Sequence, residues 1–322
     1  MRRYRMVCGC GDTPSLPSTR VAHASATIQV AAKGGVMRIG AHVSVAGGYI
    51  KGLEYGVSIG AECIQVFAKS PRQWKGAAVD PEAAKKFTAR RTEIGYGSVF
   101  THTAYLLNLA TTDAVLHGKT VNALADELVR AALLGAEGTV THLGNDPGRD
   151  DARAAERAAS VIREAYDLAG EEGSAARLLL ENSAGAGSSF GTTFAQLKAV
   201  IDASSMGSDM LGVCLDTCHA FAFGMPLDTA AGWSEVIAEM DAAIGLDRLG
   251  LIHANDCTHE RGSRKDRHAW IGDGLIGYEG FSAMLCAPGL AQVAVVTEMP
   301  GEVPEKDSEN IARLKRLRCA CR

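Results

Sequence analysis

Eight short apolar runs recur along this chain, and seven of them carry a histidine or a carboxylate at or beside their C-terminal end. They occupy residues 38–43, 62–67, 98–102, 139–142, 177–181, 212–216, 250–253 and 293–298. Each is nearly continuous in apolar character rather than alternating, the pattern of parallel strands covered on both faces. Helical periodicity fills residues 81–93, 113–134, 151–169, 193–203, 229–244 and 306–317. The first of these helices is announced by Asp80 as an N-cap and Pro81 at the opening position. The second repeats Val121, Leu124, Leu128, Ala131 and Ala132 at three- and four-residue steps and stops at Gly135. Strand–helix units repeated in this way predict an α/β chain closed into a TIM (β/α)8 barrel. An open Rossmann-like sheet is the alternative, and no G-x-G-x-x-G follows the first strand to support it.

A parallel barrel gathers the C-terminal ends of its strands on one face. His42, His102, His142, Glu181, Asp216, His253 and Glu298 stand at those ends. Any one of them alone is more often a satisfied structural residue than a ligand; seven converging side chains have no such independent explanation. Two local pairs extend the set. In Asp216-Thr-Cys-His219 a histidine follows a strand-end aspartate by three residues, and in Asp266-Arg-His268 two donors flank one residue of an extended loop. Each pair has a plain alternative, an aspartate N-cap beside an unrelated histidine. His23, His117 and His259 fall outside the pattern.

Imidazole with carboxylate and no thiolate suits zinc, manganese or iron, and so many donors exceed what one tetrahedral ion takes. Three divalent ions set against Glu181, Asp216, Asp266 and Glu298 would leave the pocket about +2, attractive to phosphate. Basic side chains crowd two of the same loops: Lys69, Arg72 and Lys75 around Trp74, and Arg261, Arg264, Lys265 and Arg267. One such loop reads as a solvated face; two at one barrel mouth read as a surface for a phosphate backbone.

The bulk numbers constrain less. The chain has 322 residues, 47% hydrophobic, with a formal charge of −4, which by itself argues weakly against nucleic acid. No apolar run is long enough to span a bilayer. Nine cysteines without a secretory segment read as reduced thiols of a cytoplasmic protein. The terminal pairs Cys8/Cys10 and Cys319/Cys321 have too short a spacing for a typical zinc site. Residues 1–36 hold five basic side chains (Arg2, Arg3, Arg5, Arg20, Lys33) against Asp12 alone. They resemble an organelle leader, or an extension upstream of a natural start at Met37; the latter is favoured because a strand begins at Arg38. The expected division is therefore 1–36 as an extension, 37–318 as the barrel and 319–322 as a tail.

The segments Gly40-Ala-His-Val-Ser44, Ser70-Pro-Arg-Gln-Trp74, Glu181-Asn-Ser-Ala-Gly-Ala-Gly187, Asp216-Thr-Cys-His-Ala-Phe221, His253-Ala-Asn-Asp256, Asp266-Arg-His268 and Thr297-Glu-Met-Pro-Gly301 resemble the signature blocks of endonuclease IV. The resemblance runs from about Met37 to about Glu302. It implies a barrel of the xylose-isomerase-like superfamily that holds three zinc ions and hydrolyses the phosphodiester 5′ to an abasic site in double-stranded DNA. The product is a 3′-hydroxyl, the setting is base excision repair, and trimming of blocked 3′ ends is implied as well. His102, His142 and Glu181 match the first zinc set. Glu181, shared, with Asp216, His253 and Glu298 matches the second, and His219, Asp266 and His268 the third. Glu181 and Glu298 are the implied catalytic carboxylates. His42 is similar to a motif histidine that is not a ligand. Arg72 and Tyr105 match residues that enter the DNA at the lesion, and Lys69 and Arg267 are expected phosphate contacts.

Departures are local. His142-Leu-Gly144 stands where the family has His-Pro-Gly, which predicts a looser loop, and Thr103 and Ala104 replace the usual pair before Tyr105. The simplest expectation is a monomer associated with the nucleoid. Two rival readings remain at this stage. A metal-bearing sugar isomerase or epimerase uses the same barrel, but typically with one or two ions held mainly by carboxylates. A DNA-binding or metal-storing module without catalysis has no need of Glu181 and Glu298 together.

Overall fold

A computed structural model describes residues 37–299 and 301–321. The expectations for residues 1–36, with His23, Cys8 and Cys10, lie outside the described residues. Among the described residues, ten strands and nine α-helices follow one another along the chain. The barrel strands are β1 (Ile39–His42), β2 (Ile64–Phe67), β3 (Val99–His102), β4 (Gly138–His142), β5 (Leu178–Glu181), β6 (Leu211–Asp216), β7 (Leu249–His253) and, last in sequence, β10 (Ala294–Thr297). All pair in parallel and close in the order β1-β10-β7-β6-β5-β4-β3-β2. The open sheet is thereby excluded. Two short strands, β8 (Asp256–Cys257) and β9 (His268–Ala269), form an antiparallel ribbon after β7.

The helices form the outer ring: α1 (Tyr49–Ser58), α2 (Pro81–Glu93), α3 (Ala114–Leu133), α4 (Asp151–Gly173), α5 (Phe194–Ser204), α6 (Thr217–Phe223), α7 (Ala230–Ile244), α8 (Gly277–Cys286) and α9 (Pro304–Cys319). Asp80, Asp113, Asp150 and Thr193 each accept a backbone N–H at a helix start, as capping residues do. Helices α1, α6 and α8 were not expected. Glycines conceal α1, because Gly52 and Gly56 lower its intrinsic propensity. Both are kept small by close neighbours, Ser44 O at 2.8 Å and Ile64 Cγ2 at 2.6 Å from where a Cβ would sit.

Two cores follow from the layering. A large one lies between helices and strands. A small one fills the barrel itself: Cys63, Phe100, Val140, Leu179, Cys214, Leu251, Ala294 and Val296, all essentially inaccessible. This plug makes the barrel floor dry, and each of its larger side chains contributes about 1.5–3 kcal/mol by burial. β1 adds Gly40 at the same level. A Cβ there would meet the Cys63 carbonyl oxygen at 1.8 Å, so only glycine lets β1 approach β2.

The chain end corrects one expectation. Cys286, at the end of α8, is joined by a disulfide to Cys321, so two of the nine thiols are not free. Spatial proximity, invisible in a separation of 35 residues, brings the two together. The basic segment beyond Arg313 is also integrated: Arg318 pairs with Glu62 at 2.7 Å and Arg313 with Asp273 at 3.0 Å.

Gly40→Ala is expected to destabilise the barrel by about 2 kcal/mol or more, because a backbone oxygen cannot be displaced by a rotamer change. A thermal melt within a degree of the parent would contradict this account of β1.

Candidate metal centre

Strand periodicity builds the site. Successive inward side chains are two residues apart, so each plug residue predicts what stands above it. Above Phe100 comes His102, above Val140 His142, and above Leu179 Glu181. Above Cys214 comes Asp216, above Leu251 His253, and above Val296 Glu298. On the remaining strands, His42 rises above Gly40 and Gln65 above Cys63. The result is one ring of eight polar side chains on a dry floor.

Glu181 sits at its centre, fully buried. Its Oε2 is 3.1 Å from His102 Nε2 and 3.4 Å from His142 Nε2; its Oε1 is 3.1 Å from His253 Nδ1 and 3.4 Å from His219 Nδ1. Each carboxylate oxygen thus faces a different group. His102, His142 and Glu181 form one cluster whose donor atoms lie within 4.8 Å of one another, and Glu181, Asp216, His253 and Glu298 form another. Toward solvent, Asp266 places Oδ2 3.2 Å from His219 Nε2 and Oδ1 3.1 Å from His268 Nε2. Asp216, His219 and His268 also converge within 4.8 Å. The structure therefore brings all nine anticipated donors to one rim. His42 stays outside these clusters, with Nδ1 3.3 Å from Glu298.

The local reading of Asp216-Thr-Cys-His219 is true as well: Asp216 Oδ1 accepts the His219 N–H at 2.7 Å and caps α6. Capping orients α6 so that the His219 ring enters the cluster, and one residue serves both ends.

Four rings have one nitrogen committed elsewhere. His102 Nδ1 donates to Thr103 O (2.8 Å), His219 Nδ1 to Asn182 O (2.9 Å), His268 Nδ1 to Glu298 O (2.8 Å) and His253 Nε2 to Gln65 Oε1 (2.9 Å). Each commitment fixes a tautomer and turns the other nitrogen's lone pair toward carboxylate oxygens, the arrangement of metal-ligating histidines. His268 Nε2 is buried without a hydrogen bond, although Asp266 is 3.1 Å away. Either a proton on His268 or a metal ion held by both groups relieves that contact.

The electrostatics agree. Burial disfavours a charged ring, yet the facing carboxylates around His219, and Cys214 together with Glu298 and Glu181 around His253, hold both rings well above the ordinary histidine value. For His268 burial is likewise outweighed by Asp266, and its pKa rises to about 9. Burial also opposes charge on Glu181 and Glu298, but the neighbouring imidazoles draw both well below the usual carboxylate range. His142 differs: burial dominates and pushes it down to about 4. Without a metal, protons must supply the positive charge these carboxylates demand. The donors present fit bound metal ions of the nitrogen- and oxygen-preferring kind.

Residues 53–317 match the family described as xylose isomerase-like TIM barrel. A probable endonuclease 4 from Methanoculleus marisnigri is 40% identical over 279 residues, covering 87% of this chain and 98% of that protein. The crystal structure of endonuclease IV from Thermus thermophilus superposes with a TM-score of 0.77 at 36% identity, covering 87% of this chain and 98% of that one. The chain belongs to the endonuclease IV family. As an endonuclease IV relative it is an enzyme of the hydrolase class. A D-tagatose 3-epimerase-like protein, at 20% identity and a TM-score of 0.66 over 87% of this chain and 97% of that one, shares the fold alone.

Around the endonuclease IV centre, Tyr105 is the exposed aromatic of the rim, 61% accessible, with its ring 5.3 Å from Phe67 and 5.9 Å from His102. Arg72 and Arg267 are exposed. Lys69 is not: its side chain is only 2% accessible and pairs with Asp126 at 2.7 Å and Glu127 at 3.4 Å. The expectation that Lys69 touches a phosphate is corrected, since its ammonium is itself buried and already paired, with half-exposed Asp126 and buried Glu127. The loop after β4 is held by packing and backbone bonds. Leu143 is completely buried, its carbonyl accepts Ala110 N–H at 3.1 Å, and Gly144 O accepts Phe190 N–H at 2.9 Å. Burial and two backbone bonds anchor His142 in place of a proline ring.

Gln65, Asn182 and Asn255 are the residues sequence reasoning missed. Gln65 accepts from His253 and donates to Glu298 Oε1 at 2.8 Å; its Nε2 also lies 2.9 Å from His42 Nδ1. Asn255 donates to Asp216 Oδ2 at 2.6 Å and accepts Glu298 N–H at 2.8 Å, while Asn182 Oδ1 accepts Asp216 N–H at 2.7 Å. A polar residue inside an otherwise apolar strand, Gln65, was the one visible signal. Gln65→Met, close in size, is expected to weaken metal retention by roughly 10–100-fold through loss of the His253 tautomer. Competition against a graded chelator series measures it; unaltered retention would remove Gln65 from the centre.

Proposed function

We propose that this chain is a zinc-dependent AP endonuclease that cleaves the phosphodiester 5′ to an abasic site in duplex DNA and leaves a 3′-hydroxyl. The observation that carries the reading is Glu181, whose two oxygens face two separate donor clusters above a dry floor. His102, His142 and Glu181 hold the first zinc; Glu181, Asp216, His253 and Glu298 the second; His219, Asp266 and His268 the third. Zinc supplies charge for the scissile phosphate and lowers the pKa of the attacking water toward neutrality.

The chain's own residues do the rest. Glu181 keeps two clusters at a fixed separation. Glu298, held by Gln65, Asn255 and His42, orients the attacking oxygen. Arg72 and Tyr105 stand where a duplex crossing the mouth must pass. Tyr105 is neutral at physiological pH, as a phenol ordinarily is, and partial desolvation with the Glu298 and Glu181 carboxylates pushes it further up to about 12, so it enters a DNA groove without adding negative charge. A nucleotide without a base has nothing to unpair and is extruded more cheaply than its neighbours. Arg267, Lys265 and Arg264 ring the other side of the opening and make phosphate contacts that carry no sequence information. Among the described residues no helix is long and apolar enough to cross a membrane, and a monomer acting on chromosomal DNA in the cytoplasm suits this reading. The sugar epimerase alternative lacks support here, since the donor set is rich in histidine (His102, His142, His219, His253 and His268), whereas that chemistry typically takes one or two ions held mainly by carboxylates.

Purified protein should nick a duplex containing one tetrahydrofuran abasic analogue, lose that activity after exhaustive treatment with a strong chelator, and regain it with zinc. Activity that survives metal stripping refutes the reading. Glu298→Gln is expected to bind the same duplex within a few-fold of the parent and to cut it about 100-fold more slowly or worse, since general-base and orienting roles contribute about 10²–10⁴-fold. Cleavage at the parental rate would take the catalytic role from Glu298.

A further inference from the structure

Two loops carry the exposed residues that meet the lesion: residues 69–80 after β2 hold Arg72, and residues 103–113 after β3 hold Tyr105. They are tied together by a buried charged network on α3. Glu127, in the middle of that helix, is almost inaccessible, and its Oε1 accepts the backbone N–H of Ala104 at 3.3 Å, next to Tyr105. The same oxygen lies 3.4 Å from Lys69 Nζ, which also donates to Asp126 at 2.7 Å and to the Trp74 carbonyl at 3.4 Å. Arg130 donates to Asp126 at 2.9 Å and to the Gly76 carbonyl at 3.4 Å. The Tyr105 N–H closes the circuit on the Pro71 carbonyl at 3.1 Å, next to Arg72.

Stability alone gives no reason for this arrangement. A buried ion pair loses about as much by desolvation as it gains by attraction, and apolar residues of similar volume serve a core at least as well. What the charges add is direction: an ammonium and a carboxylate reach specific backbone atoms of two different loops. Glu127 Oε2 has no hydrogen-bond partner, and burial raises the Glu127 pKa, so its charge depends on Lys69.

We infer that Glu127 and Lys69 are positioning residues for lesion recognition, which lock the Arg72 loop to the Tyr105 loop so that both side chains meet the duplex in one geometry. The inference rests on the AP endonuclease reading above. Neither residue touches DNA; both act through backbone atoms. Free loops would have to be ordered on binding, and the network removes that cost beforehand.

Glu127→Met removes acceptor and charge together, whereas Glu127→Gln keeps an acceptor for the Ala104 N–H. With the zinc-loaded protein, Glu127→Met should raise KM for the abasic duplex about tenfold or more, as loss of a buried charge-assisted hydrogen bond implies, while Glu127→Gln stays within about threefold. Zinc content, and hydrolysis of the small diester bis(nitrophenyl) phosphate, should match the parent in both variants. Equal KM for parent and Glu127→Met overturns the inference, as does an equal loss on both substrates. A parent protein that fails on abasic DNA sinks the functional reading instead. If Glu127→Met does not fold, amide hydrogen exchange in the parent decides: the Ala104 and Tyr105 amides must be protected like those of the barrel strands, and free exchange there overturns the proposal.

Discussion

Carboxylates and imidazoles forced together above a dry barrel floor are the constraint on which the rest of the structure turns. Glu181, Asp216 and Glu298 present oxygens within 4.8 Å of one another. Two like charges at about 4 Å repel by roughly 4 kcal/mol at the effective dielectric of a protein interior. That repulsion cannot be relieved by water from below, because the plug from Cys63 to Val296 closes the barrel. It is relieved by cations: protons on His219, His253 and His268 in the bare protein, or metal ions, which the same donors are able to hold. The plug is therefore part of the chemistry. It makes the ring of donors unwilling to exist empty, and so gives it affinity.

Fold and site were legible for the same reason. Parallel strands bury both faces, so their runs are apolar throughout, and a histidine or glutamate at the end of such a run stands out. His102, His142, Glu181, Asp216, His253 and Glu298 were visible because β-periodicity and metal chemistry select the same positions. The residues beyond the strands, His219, Asp266 and His268, were visible only as short motifs with their family resemblance. Helices α1 and α8 were hidden by glycines that packing requires, and the Cys286–Cys321 disulfide by the packing of α8 against α9. Lys69 was misread for a related reason. Sequence shows a lysine among arginines in a loop, and cannot show that α3 turns two carboxylates toward it.

Gln65 exposes a deeper limit. A neutral amide has no ligand chemistry, so a search for donors passes over it, yet β2 would otherwise leave a gap in the ring. Its carbonyl accepts from His253 and its amino group donates to Glu298, two directions that a carboxylate, which only accepts, could not satisfy at once. Asn182 and Asn255 do the same for Asp216 and Glu298. Around a cluster of charges, neutral groups with both donors and acceptors fix orientation without changing the charge total. Such residues follow from the geometry of their neighbours, and spacing alone does not mark them.

The acidic balance of the chain, −4 overall, then stops being an objection to a DNA substrate. Average charge governs long-range attraction, which salt screens beyond about 8 Å at physiological ionic strength. Cleavage is decided inside that distance, where metal ions held by Glu181, Asp216, Asp266 and Glu298 would offset their charge, and where Arg72 and Arg267 are exposed. A weakly attractive exterior also has a use. A strongly basic surface holds undamaged duplex as firmly as damaged duplex, because phosphate contacts do not distinguish them. Confining the positive charge to the mouth makes tight binding depend on a backbone that can bend and expose one phosphate to the centre, and an abasic nucleotide makes that deformation cheap.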